Sequence, residues 1–391
     1  DWEQRKLGNI ATFINGRAYS QDELLSSGKY KVLRVGNFYT NDSWYYSDME
    51  LDDKYYAEEG DLLYTWSATF GPHIWHGDKV IYHYHIWKVE LSDALEKNFA
   101  VQLMEKDKQS ILSDKNGSTM VHITKSGMES KEVILPSNIK EQAKIGEYFY
   151  SLDNLITLHQ QKCDETKEFK KYMLQNMFPQ KDEKVPKIRF DGFTGDWEQR
   201  KLSDISDVRD GTHDSPKYLN TGHPFVTSKN VKDGFINYDE IQYISDEDFN
   251  EINKRSKVDV NDILMGMIGT IGNMALIRTE PDFAIKNVAL IKDTKQINHL
   301  YLYHFLHSSF IEKQLSFGVD GGTQKFVSLG NIRNLDIVYP SEAEQIKLGD
   351  YFEQLDNLIT LHQQKCNALK EFKKYMLQNM FPQKGENKCQ N

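Results

Sequence analysis

Apolar residues recur at intervals of three and four, or sums of these, along two long stretches of the chain. The first stripe consists of Ile145, Phe149, Leu152, Ile156, Cys163, Phe169, Met173 and Met177. The second consists of Leu348, Phe352, Leu355, Ile359, Cys366, Leu369, Phe372, Met376 and Met380. Such spacing places side chains on one face of an α-helix. The pattern therefore predicts two long amphipathic helices.

Each predicted helix has a start signal and a stop signal. Asn138 and Ser341 are each followed three residues later by Glu, which is the pattern of a capping box. Pro179 and Pro382 follow the stripes and cannot continue a helix. At the standard rise per residue, a helix over 141–177 is about 55 Å long.

The two stretches are near-identical copies. The sequence LDNLITLHQQKC occurs at 152–163 and again at 355–366, and the identity continues beyond both with few substitutions. A second repeat, DWEQRKL, occurs at 1–7 and at 196–202. Internal repeats decide the architecture of a chain. This chain therefore consists of two tandem halves, each with an opening repeat, a divergent body and a closing helix.

Two identical amphipathic helices can pack against each other. Antiparallel packing would relate them by a pseudo-twofold axis and hold the two bodies at opposite ends of a coiled-coil rod. The residues assigned to this packing are Phe149, Leu152, Ile156, Phe169, Met173, Phe352, Leu355, Ile359, Phe372 and Met376. Alternatively, each helix packs only on its own body. Identity at exposed positions indicates that a common surface is presented outward twice, although duplication alone also produces such identity.

The divergent bodies share a skeleton of short β-branched and aromatic runs. VLRVGNF at 32–38 aligns with FVTSKNV at 225–231, and GDLLYTWSATFG at 60–71 aligns with NDILMGMIGTIG at 261–272. Such runs, broken by Gly, Asn and Asp, are typical of strands joined by turns. NFAVQLMEKDKQSIL and HLYLYHFLHSSFIEKQL each predict one helix late in its body. The predicted fold class is mixed α/β (α+β), with two similar bodies joined by the long antiparallel helices.

The domain boundaries follow the repeats. They are a first body at 1–136, a central helix at 137–181, a linker at 182–195, a second body at 196–340, a C-terminal helix at 341–384 and a tail at 385–391. VPKIRFDGFTG leads into the second opening repeat and has no counterpart ahead of Asp1. We therefore expect further residues upstream of Asp1.

The net charge of the chain bears on whether it could bind DNA without partners. The formal net charge is −10, and each body has more acidic than basic residues. A chain that bound DNA unaided would usually be basic, because neutralising phosphates supplies most of the affinity. The sequence has no apolar run long enough to span a bilayer. The sequence has three cysteines and no CxxC motif, which fits a reducing cytoplasm.

The bodies differ mainly in their predicted loops. The first has NGRAYS at 15–20 and an aromatic and histidine-rich stretch at 71–87, whereas the second has DGTHDSPKY at 210–218 and TSKN at 227–230. Arg, Lys, Asn, Gln, Ser and Thr are the side chains that read base edges in DNA. Two equal scaffolds with different loops indicate two different targets read at a fixed separation.

This plan resembles the specificity subunit of type I restriction-modification enzymes, the HsdS family, over the whole chain. The resemblance is carried by FDGFTGDWEQRKL before a variable body, YPSEAEQIKLGDYFEQLDNLITLHQQK after it and DGTHDSPKY near its start. It implies that each body is a target-recognition domain that reads one half of a split DNA sequence, while the helices set the spacer. The candidate DNA-binding residues are Asn15, Arg17, Tyr19, Arg34, Asn37, Thr65, Ser67, Thr69, His73, Ser118, Thr119, His122, Thr212, His213, Ser215, Lys217, Ser228, Lys229, Asn230, Thr270, Lys286, Asn287, Thr323, Gln324 and Lys325.

The resemblance also implies the partners. Besides double-stranded DNA, the chain would bind two modification subunits, which carry S-adenosylmethionine and methylate adenine N6. Two restriction subunits could add ATP-driven translocation and cleavage. The chain itself would be non-catalytic and cytoplasmic, with no membrane contact and no cofactor or metal of its own. Its partners would supply phosphate contacts that the acidic bodies lack.

Two histidine groups leave alternatives open. His83 and His85 share one face of a strand and, with the nearby His73 and His76, could bind zinc, although a strand face with stacked aromatics, or a surface that faces DNA, is favoured. His213 lies between two aspartates and could act as a general base, although a loop that enters a DNA groove is favoured. The sequence has no P-loop for ATP.

The alternative function is a protein-binding adaptor with two heads on a helical rod. The acidic bodies favour it, and the loops rich in Arg, Asn and Thr oppose it.

Overall fold

The computed structural model describes residues 1–39, 41–67, 69–113, 123–269, 271–317, 319–320 and 326–382. Its contacts divide the chain into two compact units. Unit 1 is Asp1–Gln160 together with the chain from Gln364 onward, and unit 2 is Gln161–Gln363. Each long helix therefore contributes one part to each unit. Within the described residues, no helix is long and apolar enough to cross a membrane.

Within the described residues, unit 1 contains ten strands and two α-helices, of 17 and 5 residues, followed by the first long helix. Its strands are β1 Trp2–Lys6, β2 Ala11–Asn15, β3 Tyr30–Leu33, β4 Tyr45–Ser47, β5 Tyr56–Ala57, β6 Leu62–Thr65, β7 Gly71–Ile74, β8 Val80–Tyr82, β9 Ile86–Leu91 and β10 Glu132–Pro136. Its helices are α1 Lys97–Ser113, α2 Lys125–Glu129 and the start of α3 Ile139–Asn176.

Unit 2 begins within α3 and repeats this plan. Its strands are β11 Glu198–Lys201, β12 Val208–Asp210, β13 His223–Thr227, β14 Gln242–Ile244, β15 Ile263–Gly266, β16 Met274–Leu276, β17 Ala284–Lys286, β18 Val288–Ile291, β19 Val319–Asp320, β20 Phe326–Val327 and β21 Asp336–Tyr339. Its helices are α4 Leu202–Ile205, α5 Asp246–Ser256, α6 His299–Leu306, α7 Ser309–Phe317, α8 Leu329–Arg333 and the first part of α9 Glu342–Met380.

The two units share most of their sheet topology, although the second sheet has four strands in unit 1 and three among the described residues of unit 2. An antiparallel sheet of order β2-β9-β6-β7 in unit 1 matches β12-β18-β15-β16 in unit 2. A second sheet contains the parallel pair β3 and β8 in unit 1, and β13 and β17 in unit 2. The opening repeats form β1 and β11, which pair with β10 and β21 just ahead of the long helices. This pairing fixes each body at the start of its own helix.

The prediction of one helix over 299–315 was wrong. The chain forms α6 and α7, with a break at His307 and Ser308. The His307 ring contacts both the Tyr303 carbonyl at 2.8 Å and the Asp233 carboxylate at 2.9 Å. Ser308 then starts the next helix, because its carbonyl accepts from the Ile311 amide. At this break the His307 and Ser308 amides donate to the His304 and Phe305 carbonyls three residues back, and the His307 ring contacts the Tyr303 carbonyl, so the α-helical bonding pattern is interrupted.

The two long helices pack against each other antiparallel within each unit. In unit 1, Lys373 donates to Asp153 at 2.6 Å, and the Cys366 thiol lies 3.8 Å from the Ile156 carbonyl. In unit 2, Lys170 donates to Asp356 at 2.6 Å, and the Cys163 thiol lies 3.8 Å from the Ile359 carbonyl. The contacts repeat residue for residue in the two units, in agreement with the repeated helix sequences.

The prediction for the helix interface was wrong at Phe169 and Phe372. These rings are 48% and 45% exposed, whereas Phe149, Leu152, Phe352 and Leu355 are buried. The long stripes had included positions that drift away from the interface, because 3.6 residues per turn do not match a spacing of three and four indefinitely. Phe169 and Phe372 belong instead to an outward stripe, which consists of the exposed residues Leu155, Leu158, Phe169 and Tyr172 on α3 and Leu358, Leu361, Phe372 and Tyr375 on α9.

Candidate nucleic-acid interface

A close backbone contact positions the first variable loop of each unit. Arg17 forms an isolated parallel bridge with His83, and Thr212 forms the same kind of bridge with Lys286. The preceding glycine permits the approach: a Cβ on Gly16 would lie 2.4 Å from the His83 carbonyl oxygen. On Gly211 it would lie 2.3 Å from the Ile285 oxygen. The two units thus build one backbone frame and place different side chains on it.

In unit 1 this frame holds a group of polar and aromatic side chains. The Arg17 guanidinium donates to Glu23 at 2.5 Å and lies over the Tyr19 ring, with its Cζ 4.9 Å from the centroid. The hydrogen bond from Arg17 lowers the pKa of Glu23 to about 2. The His83 ring stacks 6.3 Å from Tyr19, and burial lowers its pKa to about 4. A neutral imidazole offers one donor and one acceptor without charge.

Arg34 and Asn37 shape the next loop. The Asn37 amide donates to the carbonyls of Asn41 and Ser43, both at 2.9 Å, and its oxygen accepts from the Arg34 amide at 3.0 Å. Arg34 donates to the Ser43 carbonyl at 3.2 Å, and its guanidinium lies over the Tyr45 ring. The Asn37 side chain therefore holds the loop closed, while Arg34 remains the residue of this loop with spare donors.

His73 lies within an aromatic cluster. Its ring stacks on Phe38 with a centroid distance of 4.2 Å, and its Nε2 lies 3.1 Å from the Tyr39 hydroxyl and 3.3 Å from Thr65 Oγ1. Burial, with a smaller contribution from the nearby positive charge of Lys108, lowers the pKa of His73 to about 4. His73 is therefore a neutral, positioned ring at the edge of the cluster.

In unit 2 the equivalent frame carries a charged network. His213 lies 2.6 Å from Asn287 Oδ1 and 2.9 Å from Asp210 Oδ2, and Arg255 donates to the other oxygen of Asp210. The Lys286 ammonium donates to Ser215 Oγ. His213 is thus held between an amide and a carboxylate, on an exposed loop.

Three predicted contact residues are buried supports, which corrects their assignment. Thr65 is 0% exposed, and its hydroxyl lies 3.3 Å from the Gly71 carbonyl. The buried Ser228 hydroxyl donates to the Asn287 carbonyl at 2.6 Å and accepts from Met267 at 3.1 Å. Asn230 is buried, and its side chain bonds within its own turn, because a buried polar group must find partners inside the fold.

The other predicted residues divide into two sets. Asn15, Thr69, Ser215, Lys217 and Lys229 are exposed, and Ser67 and Thr212 are half-buried. Ser118, Thr119, His122, Thr270, Thr323, Gln324 and Lys325 lie outside the described residues. His83, Asp210 and Arg255 contact these candidates but were not among the predicted DNA-binding residues. The missing signal was a pairing between distant segments, which no local motif encodes.

Among the described residues, one group of side chains has the ligand types and spacing of a metal site. None of the histidines considered above as zinc ligands belongs to this group. It consists of His304, Glu353 and Asp356. The Arg278 guanidinium donates to both oxygens of Glu353, at 2.7 and 2.9 Å, and Lys170 donates to Asp356. The two carboxylates are therefore already neutralised by cations.

The same position joins body and helix in each unit, with different chemistry. In unit 1 the buried Gln102 donates to Asp153 at 3.1 Å, beside Lys373. In unit 2 the buried His304 lies 3.8 Å from both Glu353 and Asp356. Burial lowers the pKa of His304 to about 4, and Lys170 and His307 add to this, although the two carboxylates raise it.

Comparison with known proteins decides the family. The family described as "Type I restriction modification DNA specificity domain" matches residues 1–168 and 194–371. The chain belongs to this family. It is therefore a specificity subunit of a type I restriction-modification system, as the sequence analysis predicted.

Relatives of this specificity subunit span its whole length. The type I restriction enzyme MjaVIII specificity subunit of Methanocaldococcus jannaschii is 23% identical, over 96% of this chain and 91% of the relative. The EcoBI specificity subunit of Escherichia coli is 22% identical, over 90% and 79%. The crystal structure of the S subunit from M. genitalium matches with a TM-score of 0.62 and 16% identity, over 98% and 96%. The structural likeness confirms the predicted fold class.

Proposed function

We propose that this specificity subunit reads a bipartite DNA target, with one recognition domain for each half. The observation that carries the proposal is the pair of equivalent backbone bridges, Arg17 with His83 and Thr212 with Lys286. The same backbone arrangement presents Arg17 and the neutral His83 in unit 1, and it presents Thr212 and Lys286 in unit 2. Base edges are distinguished by donors and acceptors of this kind. Equal frames with unequal side chains support two different half-sites.

The long helices would set the spacer between the half-sites. Each is continuous over more than ten turns, because α3 runs from Ile139 to Asn176 and α9 from Glu342 to Met380. Lys170 with Asp356 and Lys373 with Asp153 fix their register. Half-sites read from one side of DNA lie about one helical turn apart, roughly 34 Å.

The outward stripe would dock the modification subunits. Leu155, Leu158, Phe169 and Tyr172 recur as Leu358, Leu361, Phe372 and Tyr375, all exposed. Pairs of large apolar side chains that remain exposed at the same positions of both helices support a protein contact there. Two copies of one stripe support two copies of one partner. These partners would carry S-adenosylmethionine and methylate adenine N6, and restriction subunits with ATP would join them. The chain itself would have no catalytic role.

Domain exchange tests the proposal. Replacing residues 8–136 with the corresponding domain of another specificity subunit should change one half of the methylated sequence and leave the other half and the spacer unchanged. Inserting one helical turn into α3 and its match into α9 should change only the spacer. If both halves changed together after the exchange, the domains would not be independent readers.

A protein-binding adaptor is the second candidate, supported by the net charge of −10. We expect the isolated chain to bind DNA weakly and to gain affinity with its modification subunits, because phosphate contacts would come from them. The adaptor hypothesis predicts that no methyltransferase subunit is captured by the purified chain. Capture of that subunit, with DNA affinity gained in the complex, would exclude it.

A further inference from the structure

The linker of unit 2 is anchored to the start of α9 by a buried ion pair. Arg189 donates to both carboxylate oxygens of Glu344, at 2.7 and 2.8 Å. The Glu344 side chain is 1% exposed. Arg189 also donates to the carbonyls of Thr194 and Gly195, which closes the linker into a compact loop. Glu344 was predicted to form a capping box, and it binds this arginine instead.

Aromatic contacts complete the anchor. The Phe190 ring meets Tyr351 edge to face with a centroid distance of 5.6 Å. The Lys347 ammonium lies 4.6 Å from the centroid of Phe190 and 5.5 Å from that of Phe193. The Ile188 amide donates to the carbonyl of Asn176 at the end of α3. The anchor therefore consists of one acid, one lysine and one tyrosine on one helix, with a terminal carbonyl from the other.

Unit 1 contains the same anchor residues, and among the described residues none makes the equivalent arginine and aromatic contacts with them. Glu141, Lys144 and Tyr148 at the start of α3 correspond to Glu344, Lys347 and Tyr351, and Asn379 at the end of α9 corresponds to Asn176. Within the described part of the chain, neither the Glu141 carboxylate nor the Lys144 ammonium has a hydrogen-bond or ion-pair partner. Tyr148 is 37% exposed.

The surroundings of the two anchors also correspond. Phe149 and Phe381 lie 6.1 Å apart in unit 1, and Phe352 and Phe178 lie 5.3 Å apart in unit 2. Trp2 packs beside Phe381 at 6.2 Å, as Trp197 packs beside Phe178 at 6.4 Å. The helix ends and the first strand thus occupy equivalent positions. A segment that entered β1 as the linker enters β11 would meet Glu141, Lys144 and Tyr148.

We infer that Glu141, Lys144, Tyr148 and Asn379 form a binding site for a peptide segment of the pattern Ile-Arg-Phe-x-x-Phe. The occupant is a copy of the segment at 188–193, because the chain already holds that segment on the same four residue types in unit 2. A bidentate arginine and carboxylate pair is among the strong side-chain contacts of proteins, and an ammonium between two rings adds to it. The inference does not depend on DNA binding.

The test uses the full chain with VPKIRFDGFTG fused ahead of Asp1. We expect amide hydrogen exchange at 141–148 to slow by roughly tenfold, since the arginine contact alone is of this size. The slowing should disappear when the arginine of the fused segment is changed to alanine, and equally in Glu141→Ala. Glu141 is not buried, so this variant is expected to fold.

Two results would overturn the inference. One is unchanged exchange at 141–148 in the fusion. The other is protection that survives both alanine changes, which would mean that the added residues cover the helix nonspecifically. The matched reference is Glu344→Ala in the unfused chain, which should release the 185–195 segment and speed exchange at 344–351.

Discussion

The two units use the same joint between body and helix, but unit 1 makes it neutral and unit 2 makes it titratable. Gln102 donates a single hydrogen bond to Asp153, whereas His304 lies between Glu353 and Asp356 with Arg278 beyond. Asp153 and Asp356 occupy equivalent positions of the long helices, but Glu353 of α9 stands where α3 has Tyr150, so the divergence comes from both the bodies and the helices. The two helices therefore share one aspartate of the joint, and each unit completes the joint with side chains of its own.

Substitutions in the outward stripe should have the largest effect on the equivalence of the two halves, which is measured as the number of modification subunits bound. Replacing Leu155 and Leu158 with Asp should reduce the number of bound modification subunits from two to one. Each buried leucine contributes about 1.5–3 kcal/mol, so affinity at that site should fall by at least about 100-fold. Light scattering of the complex gives the stoichiometry. The pair Leu358 and Leu361 should give the same loss.

Thr157→Asp is the matched control for the stripe, because Thr157 is exposed on the same helix but on another face. It should retain both partners. A complex that still holds two partners when both leucine pairs are replaced would locate the docking surface elsewhere.

The glycine contacts offer a second way to separate the units. Gly16→Ala places a Cβ 2.4 Å from the His83 oxygen and should cost about 1–3 kcal/mol of stability in unit 1. Gly211→Ala should do the same in unit 2. Each should weaken methylation through its own half-site. Gly330→Ala, where the Cβ meets only ordinary contacts, is the control and should leave chemical unfolding unchanged.

The contact of His304 with α9 should cause a smaller effect, which is a pH-dependent change in the free energy of unfolding. Because the pKa of His304 is lowered to about 4 in the folded chain, its contribution is present above pH 6.5 and is lost as the pH falls toward 4. Relative to His304→Gln, the wild type should lose about 2 kcal/mol of stability between pH 7 and pH 5. Urea unfolding at the two pH values measures this difference.

Gln102→His transfers the test to unit 1. It should introduce a loss of stability below pH 6.5 where none of this origin existed. A difference between wild type and His304→Gln that does not change with pH, or that grows in favour of the wild type in acid, would mean that the carboxylates hold His304 charged.

Local patterns were sufficient for the long helices and the repeated plan. Pro179 and Pro382 ended α3 and α9 within a few residues of the predicted positions, because proline blocks a helix wherever it occurs. Alternating strands and the mixed class followed from composition and turns. Cys163 and Cys366 belong to the apolar stripes that the spacing identified, and both are buried.

The remainder depended on contacts between distant segments. Phe169 belongs to the apolar stripe by spacing, but only the partner helix decides which part of a stripe is covered. Glu344 matched a local capping pattern, yet its carboxylate accepts two charged hydrogen bonds from Arg189 of the linker in place of the capping contact. The bridge between Arg17 and His83 arises from a parallel strand pair, which no short motif encodes.

The central claim is that two equal frames read two different half-sites. The most direct measurement is to express the chain with its modification subunit in a host without DNA methylation and to map N6-methyladenine by long-read sequencing. The account predicts one split motif, with two defined halves around a fixed spacer and a modified adenine in each half. A continuous motif, or no new methylation although partner binding is confirmed, would contradict it.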